Sequence, residues 1–327
     1  MNTAGGDVMP DRKRNLLLSM IDSAGLLRAE AGELALRRSY AAGRTDGGAG
    51  TWYYPGSFFR AGGMLFFVAA VDGLKSLFVL SDTAIPASFP GTTFSVGGYK
   101  GVEAAFGWDS FLAAREYLPF LTPVSLRDRK TTIGCGDRLG TASPGHIRAV
   151  SGRNISPVLA QQSIRELTLT GRTYRQVVSD AAFAVLQEGY EGGYGADGDH
   201  LKTLADIDVA LDAGMPMITL DLTDVMNPEP GSWSEAAVTE AFKKLPAAVQ
   251  DRVLSEYAGK AFNIGSSSLT LSRTEACRCA LMYMKALDFS AEVDAHLRAK
   301  RGNAYDLEIS IDRSEEHTSE LQSRITI

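Results

Sequence analysis

The segment Gly195-Ala196-Asp197-Gly198-Asp199-His200-Leu201-Lys202 places two carboxylates, an imidazole and an ammonium within eight residues. Such crowding of proton-transfer and ligand groups is expected where a strand ends and hands its side chains to a cleft. His200 suits a divalent cation as a neutral imidazole ligand, and an adjacent Asp199 suits general-base work. The same pair also fits a helix start, with Asp199 as the cap and His200 in the first turn. Along an extended strand neighbouring side chains point to opposite faces, so both groups reach one cleft only if the chain turns. Gly198 is the residue expected to supply that turn. Asp197 reads as structural, and Lys202 either binds a carboxylate or is a solvated helix residue.

A second set of groups follows two earlier candidate strands. Thr131 to His146 is rich in glycine, but its spacing fits neither the dinucleotide fingerprint nor the P-loop, and no Lys-Ser/Thr closes it. Asp137 and Arg138 are suited to orienting a polyol and an acid group, while His146, after Pro144-Gly145, is either a site residue or a helix-start residue. Gln161, Gln162 and Arg165 follow the next strand, and a guanidinium fork bonds both oxygens of a planar carboxylate. Arg172 and Arg175 read as helix-surface charges. Asp221 and Asp224 end another strand, as site residues or as turn formers.

These groups must be positioned by alternating strands and helices. Strands are expected over Thr131–Gly136, Ile155–Gln161, a segment leading into Gly195, Met217–Leu222 and Tyr305–Ile311. Helices are expected over Arg172–Gly189, Thr203–Ala213, Ser234–Tyr257 and Arg273–Lys300. The alternation predicts an α/β fold with a parallel sheet, read as a (β/α) barrel of TIM type with its chemistry at one face, here incomplete at five strands. Before it, a helical pattern over Arg12–Ala42, apolar strands at Met64–Val71 and Leu77–Leu80 and a helix over Trp108–Leu118 predict a mixed α/β accessory domain. The expected domains are residues 1–125, 126–312 and a tail at 313–327.

With 327 residues and 45% hydrophobic content the chain can bury a sizeable core. A net charge of −6 with scattered Lys and Arg argues against a nucleic-acid partner, and no apolar run has membrane-spanning length. The N-terminus lacks the pattern of a secretory signal, so a cytoplasmic location is expected. The three cysteines, Cys135, Cys277 and Cys279, have no metal or disulfide spacing and are expected to be reduced, the last two facing different directions.

Three segments together resemble the tagaturonate/fructuronate epimerase family of hexuronate catabolism. They are Gly136-Asp-Arg-Leu-Gly140 with Pro144-Gly-His146, then Ala160-Gln-Gln-Ser-Ile-Arg-Glu166 with Thr170-Gly-Arg-Thr173, and finally Gln187-Glu-Gly-Tyr190 with Gly195 to Lys202. The resemblance runs from about Leu121 to Asp312. It implies a barrel, a divalent metal such as Mn, Ni or Zn, a small-molecule ketouronate substrate and interconversion of D-tagaturonate with D-fructuronate. By position it implies that Asp199 is the proton acceptor and His200 the first metal ligand. From their residue types and places after the strands, Asp137, Arg138, His146, Gln161, Gln162, Arg165 and Lys202 are read as the substrate side. Gly198 departs from the family's usual Ala, and Leu222-Thr223 from its common Pro-Ser. Other readings in play are a metal-dependent sugar-acid aldolase or isomerase and a non-catalytic sugar-acid binding fragment.

The run from Arg313 to Ser323 resembles the translation of a sequencing-library adapter, which would make it a scar to set aside from fold reasoning. Glu308 to Asp312 resembles the strand before the family's proton donor, so on this reading the donor and the remaining metal ligands lie past the junction, and Glu315 and Glu316 do not stand in for them. The chain alone is then expected to lack epimerase activity and to hold metal weakly. A genomic read is expected to continue past Asp312 with an acidic residue soon after and a further His far downstream; a natural stop codon at the present end would contradict this.

Overall fold

The computed structural model describes residues 8–41 and 43–311, with side chains from residue 11 onward. The expected tail at 313–327 lies outside them. The described residues fall into two compact units, one within Met1–Asp199, Ala205–Ile218 and Ala304–Asp306, the other within His200–Leu204, Thr219–Asn303 and Leu307–Ile327. The antiparallel region before residue 125 and the first strands of the parallel sheet therefore share one unit.

In that first unit, helices α1 (Val8–Ser23) and α2 (Ala31–Tyr40) replace the single helical run read from the sequence. Gly25, at φ 72°, ends the first by the left-handed route: its N–H donates to Asp22 O and that of Leu26 to Ile21 O. There follow β1 (Thr45–Gly48), β2 (Thr51–Tyr53), β3 (Phe59–Ala61), β4 (Met64–Val71), β5 (Leu74–Ser81), β6 (Thr92–Val96) and β7 (Tyr99–Ala105). They form an antiparallel sheet in the order β1-β2-β4-β5-β7-β6, with β3 also on β4. Every residue of β4 is buried, which explains its continuous apolar run. Phe67 stacks between Phe58 and Phe78 in a core that includes Leu17, Ile21 and Leu34 of the helices, while Phe66, on the opposite face, packs against Phe89 and Tyr117.

Helix α3 (Trp108–Arg115) leads to the second sheet, whose strands are β8 (Thr132–Gly134), β9 (Ser156–Ser163), β10 (Gly195–Leu201), β11 (Met217–Asp221) and β14 (Asp306–Ser310), in the order β14-β11-β10-β9-β8. The β8/β9 and β9/β10 pairs are parallel. Asp306 N–H donates to Pro216 O and Leu222 N–H to Ser310 O, so β11 and β14 also run the same way. This is a mixed α/β fold with a five-stranded sheet; four of the expected strands lie near their expected positions, whereas the one expected to lead into Gly195 instead begins there and contains the motif.

The crossovers carry α4 (Ser143–Val150), α5 (Ile164–Thr170), α6 (Tyr174–Glu188) and α7 (Leu204–Asp212). The expected helix over Arg172–Gly189 is α6. Its start is a capping box between Thr173 and Gln176, and its end is Gly189 in the left-handed region at φ 63°. Phe183 of α6 stacks on Phe106 with ring centroids 4.2 Å apart.

In the second unit, α8 (Glu235–Phe242) and α9 (Ala247–Glu256) divide the helical stretch expected over Ser234–Tyr257, because Pro246 cannot continue a helix. A hairpin, β12 (Ala261–Ile264) with β13 (Ser267–Thr270), was not foreseen. Its strands are too short and exposed to leave an alternation in the sequence. Helix α10 (Arg273–Arg301) follows; Cys277 is buried and Cys279 exposed, as their spacing predicts. No helix among the described residues is long and apolar enough to cross a membrane.

Gly189 tests how far α6 depends on its end. A Cβ there would stand 2.3 Å from the carbonyl oxygen of Gly56, on a backbone already at positive φ. Gly189→Ala is expected to destabilise the protein by roughly 2 kcal/mol or more, read as a lowered midpoint in urea. An unchanged midpoint would show that the helix end adjusts freely.

Candidate functional site

The site in the first unit is built where β8, β9 and β10 end. Register sets Asp197 opposite Gln161, Gly198 opposite Gln162 and Asp199 opposite Ser163. Asp197 and Asp199, two apart on a strand, share a face, and both are buried, Asp199 at 8% exposure. Gln161 Nε2 donates to Asp197 Oδ2 at 3.2 Å, a cross-strand bond between register partners. Asp199 is a strand residue, and α7 begins at Leu204, so Asp199 is not the cap of that helix.

The expected turn at Gly198 is at His200 instead. Gly198 is not in the left-handed region, whereas His200 has φ 56°. A non-glycine residue in this region is uncommon, stores of order 1–3 kcal/mol of strain and is held there by its surroundings. This breaks the strict alternation of β10 at the residue carrying the imidazole.

Arg172, read from the sequence as a surface charge, is the organiser of the unit's strand ends. Its side chain is 11% exposed and bonds three segments: Nη1 donates to Asp137 O (3.1 Å) and Gln162 Oε1 (2.9 Å), and Nη2 to Asp180 Oδ2 (2.5 Å). Gln162, fully buried, also donates from Nε2 to Thr170 Oγ1 at 3.0 Å. Burial pushes the Asp180 carboxyl above its ordinary range, and Arg172 opposes that shift. Gly140, at φ 73°, crosses this ion pair so closely that a Cβ would lie 2.4 Å from Asp180 Oδ2. Arg172 directly precedes the capping Thr173, a position before the helix and off its solvated face. Arg175 is exposed, with its guanidinium 5.5 Å from the Trp108 ring centroid.

The candidate substrate-side residues divide by what they already bond. Asp137 is buried and accepts from the backbone N–H groups of Thr141, Ala142 and Ser143 and from Ser143 Oγ. Burial opposes its ionisation, but these donors outweigh it and hold the carboxyl below its usual range. Arg138 donates from Nε to Glu166 Oε1 at 2.9 Å. Arg165 is exposed on α5 and makes no hydrogen bond or ion pair among the described residues. His146 lies within α4, its Nδ1 buried without a hydrogen-bond partner among the described residues. Tyr174, on α6, has a fully buried hydroxyl with no hydrogen-bond partner among the described residues; burial, then Asp197 and Asp199, push its ionisation well above the ordinary value.

In the second unit, Lys202 Nζ donates to Asp224 Oδ1 at 2.8 Å and stands 3.9 Å from Asp221 Oδ2. Lys202 lies in the connection before α7, not on the helix. Asp221 is buried and accepts from Thr223 N–H at 2.9 Å and from its hydroxyl, a turn-forming arrangement. Among the described residues no three His, Cys, Asp or Glu side chains stand close enough to hold a metal ion. His200 by itself is therefore a single candidate ligand, and the described residues do not form a metal shell.

Comparison with known proteins gives one consistent result. Residues 54–324 match the sequence profile of a family described as tagaturonate epimerase. The chain is 32% identical over 279 residues to the tagaturonate/fructuronate epimerase of Thermotoga maritima, covering 84% of this chain and 56% of that protein. A glycerol-complexed crystal structure of the fructuronate-tagaturonate epimerase of Cohnella laeviribosi superposes with a TM-score of 0.74 at 38% identity, over 80% of this chain and 52% of that one. The native structure of that enzyme gives 0.73 at 35% identity, over 86% and 55%. The chain thus spans about half the length of the curated relative and solved structures it matches.

The Asp137 cradle predicts a pH-dependent contribution to stability. Its carboxyl is depressed on folding, so the stabilisation is present above the unfolded value of about 3.9 and is lost as pH falls through the lower folded value. Asp137→Ala is expected to cost roughly 2 kcal/mol at pH 7, the gap from the parent narrowing below about pH 4. Urea titrations of both proteins from pH 7 to pH 3 check this; a constant gap would assign the effect to packing.

Proposed function

Because the chain belongs to the tagaturonate epimerase family, we propose that its strand-end site serves the interconversion of D-tagaturonate and D-fructuronate. The observation that carries the reading is the pair of buried carboxylates on one face of β10, with Asp199 followed by an imidazole in a strained backbone position. The match of residues 54–324 to the family's profile spans the described parallel sheet and supports it, and we assign these five strands to part of a (β/α) barrel.

The two ketouronates differ at C4, which is not adjacent to the C2 ketone, so enolisation does not acidify the C4–H bond. We assign Asp199 to the C4 hydroxyl: it takes the hydroxyl proton, the C4–O electrons become a carbonyl, and the C3–C4 bond breaks. Its electron pair passes to C2–C3 and the C2 oxygen, leaving an enediolate and an aldehyde. The aldehyde turns, C3 adds to its other face, and the new C4 alkoxide takes a proton to complete the inversion. Tyr174, whose phenol stays protonated, lies within electrostatic reach of Asp199. A divalent cation, to which His200 is the proposed ligand, would stabilise negative charge on substrate oxygens. We place one of the sugar acid's hydroxyls near Gln161.

Asp199→Asn, in a version extended to the relatives' length, is expected to lower turnover of fructuronate by about 10²–10⁴-fold with little change in its affinity. His200→Ala is expected to lower both turnover and metal content. Equal metal loss in the two variants would reverse the assignment. Trapping an aldehyde fragment during turnover tests the cleavage step, and its absence under forcing conditions would favour direct exchange at C4.

A further inference from the structure

We infer that Arg138 is the anchor for the substrate's carboxylate, and that Glu166 and Gly136 position it for that task; the inference rests on the functional reading above. Arg138 Nε donates to Glu166 Oε1 at 2.9 Å, and Glu166 Oε2 accepts the Ser163 N–H at 3.0 Å. Ser163 is the register partner of Asp199 on the neighbouring strand. A continuous path of hydrogen bonds thus ties the guanidinium to the strand position beside the proposed base.

The geometry separates the two edges of the guanidinium. Glu166 holds the Nε side, while the Nη1/Nη2 edge makes no hydrogen bond among the described residues. The side chain is 43% exposed, so that edge is open to a ligand. Two parallel N–H donors match the two oxygens of a carboxylate. Glu166 itself remains charged, because burial is outweighed by the Ser163 N–H and by Arg138. This differs from Arg165, which nothing among the described residues orients.

Gly136 is a second, independent part of the seat. A Cβ at this position would lie 1.3 Å from Arg138 Nη1 and 2.6 Å from Cζ. The guanidinium therefore folds back over a backbone that only glycine leaves open, and any side chain there must displace it. A merely solvated arginine would need neither the glycine nor the carboxylate.

The test is calorimetric titration of the chain with D-fructuronate and with D-fructose, its neutral counterpart carrying a hydroxymethyl group in place of the carboxylate. Arg138→Gln is expected to weaken fructuronate binding about ten- to hundredfold while leaving fructose binding unchanged. Glu166→Gln and Gly136→Ala keep the arginine but loosen or displace it, and each is expected to lose about three- to tenfold for fructuronate alone. Circular dichroism melts establish that each variant is folded. Parental fructuronate affinity in folded Arg138→Gln, or equal losses for both sugars, would overturn the assignment while leaving the functional reading standing. Failure of the parent chain to bind fructuronate would overturn both.

Discussion

The strand ends of the first unit depend on one largely enclosed cation. Arg172 bonds the carbonyl of Asp137 in the loop after β8, the side chain of Gln162 near the end of β9 and the carboxylate of Asp180 on α6. Without the guanidinium, Asp180 would keep the burial that already disfavours its charge and lose the partner that offsets it. Gln162, fully buried, would lose the donor to its carbonyl oxygen. Three segments that are distant in sequence would then lose their common tie.

What this tie supports is a loop with little freedom. Asp137 faces inward and binds three successive N–H groups, so its carboxylate shapes the turn into α4. The next residue, Arg138, is turned toward Glu166. One short motif thus provides a structural carboxylate and a candidate ligand-binding cation. Buried acceptors must be satisfied, whereas an exposed guanidinium tolerates an open edge, and this difference assigns the two roles.

The strain is concentrated at β10. Asp197 and Asp199 obey strand alternation and share a buried face, but His200 leaves it by adopting a left-handed backbone. Glycine adopts that conformation at no steric cost, yet the glycine available two residues earlier does not take it. The position of the imidazole is therefore set by the surrounding structure against the local preference of the chain.

The sequence by itself determined the features that depend on near neighbours. Capping groups at Thr173 and Gln176 with Gly189 delimit α6, and short apolar runs mark β9 and β11. The grouped motifs at Gly136, Ala160 and Gly195 sufficed for the family resemblance, which the comparisons bear out. Only the folded chain makes Arg172 a largely enclosed hub, turns Asp137 to its own loop and puts the turn at His200. Arg172 and Asp137 lie thirty-five positions apart, and no periodicity or propensity encodes a contact at that separation. Helix caps and strand patterns are interactions within a turn or a few residues, whereas the charge of a buried group is tolerated only where packing brings its partners together.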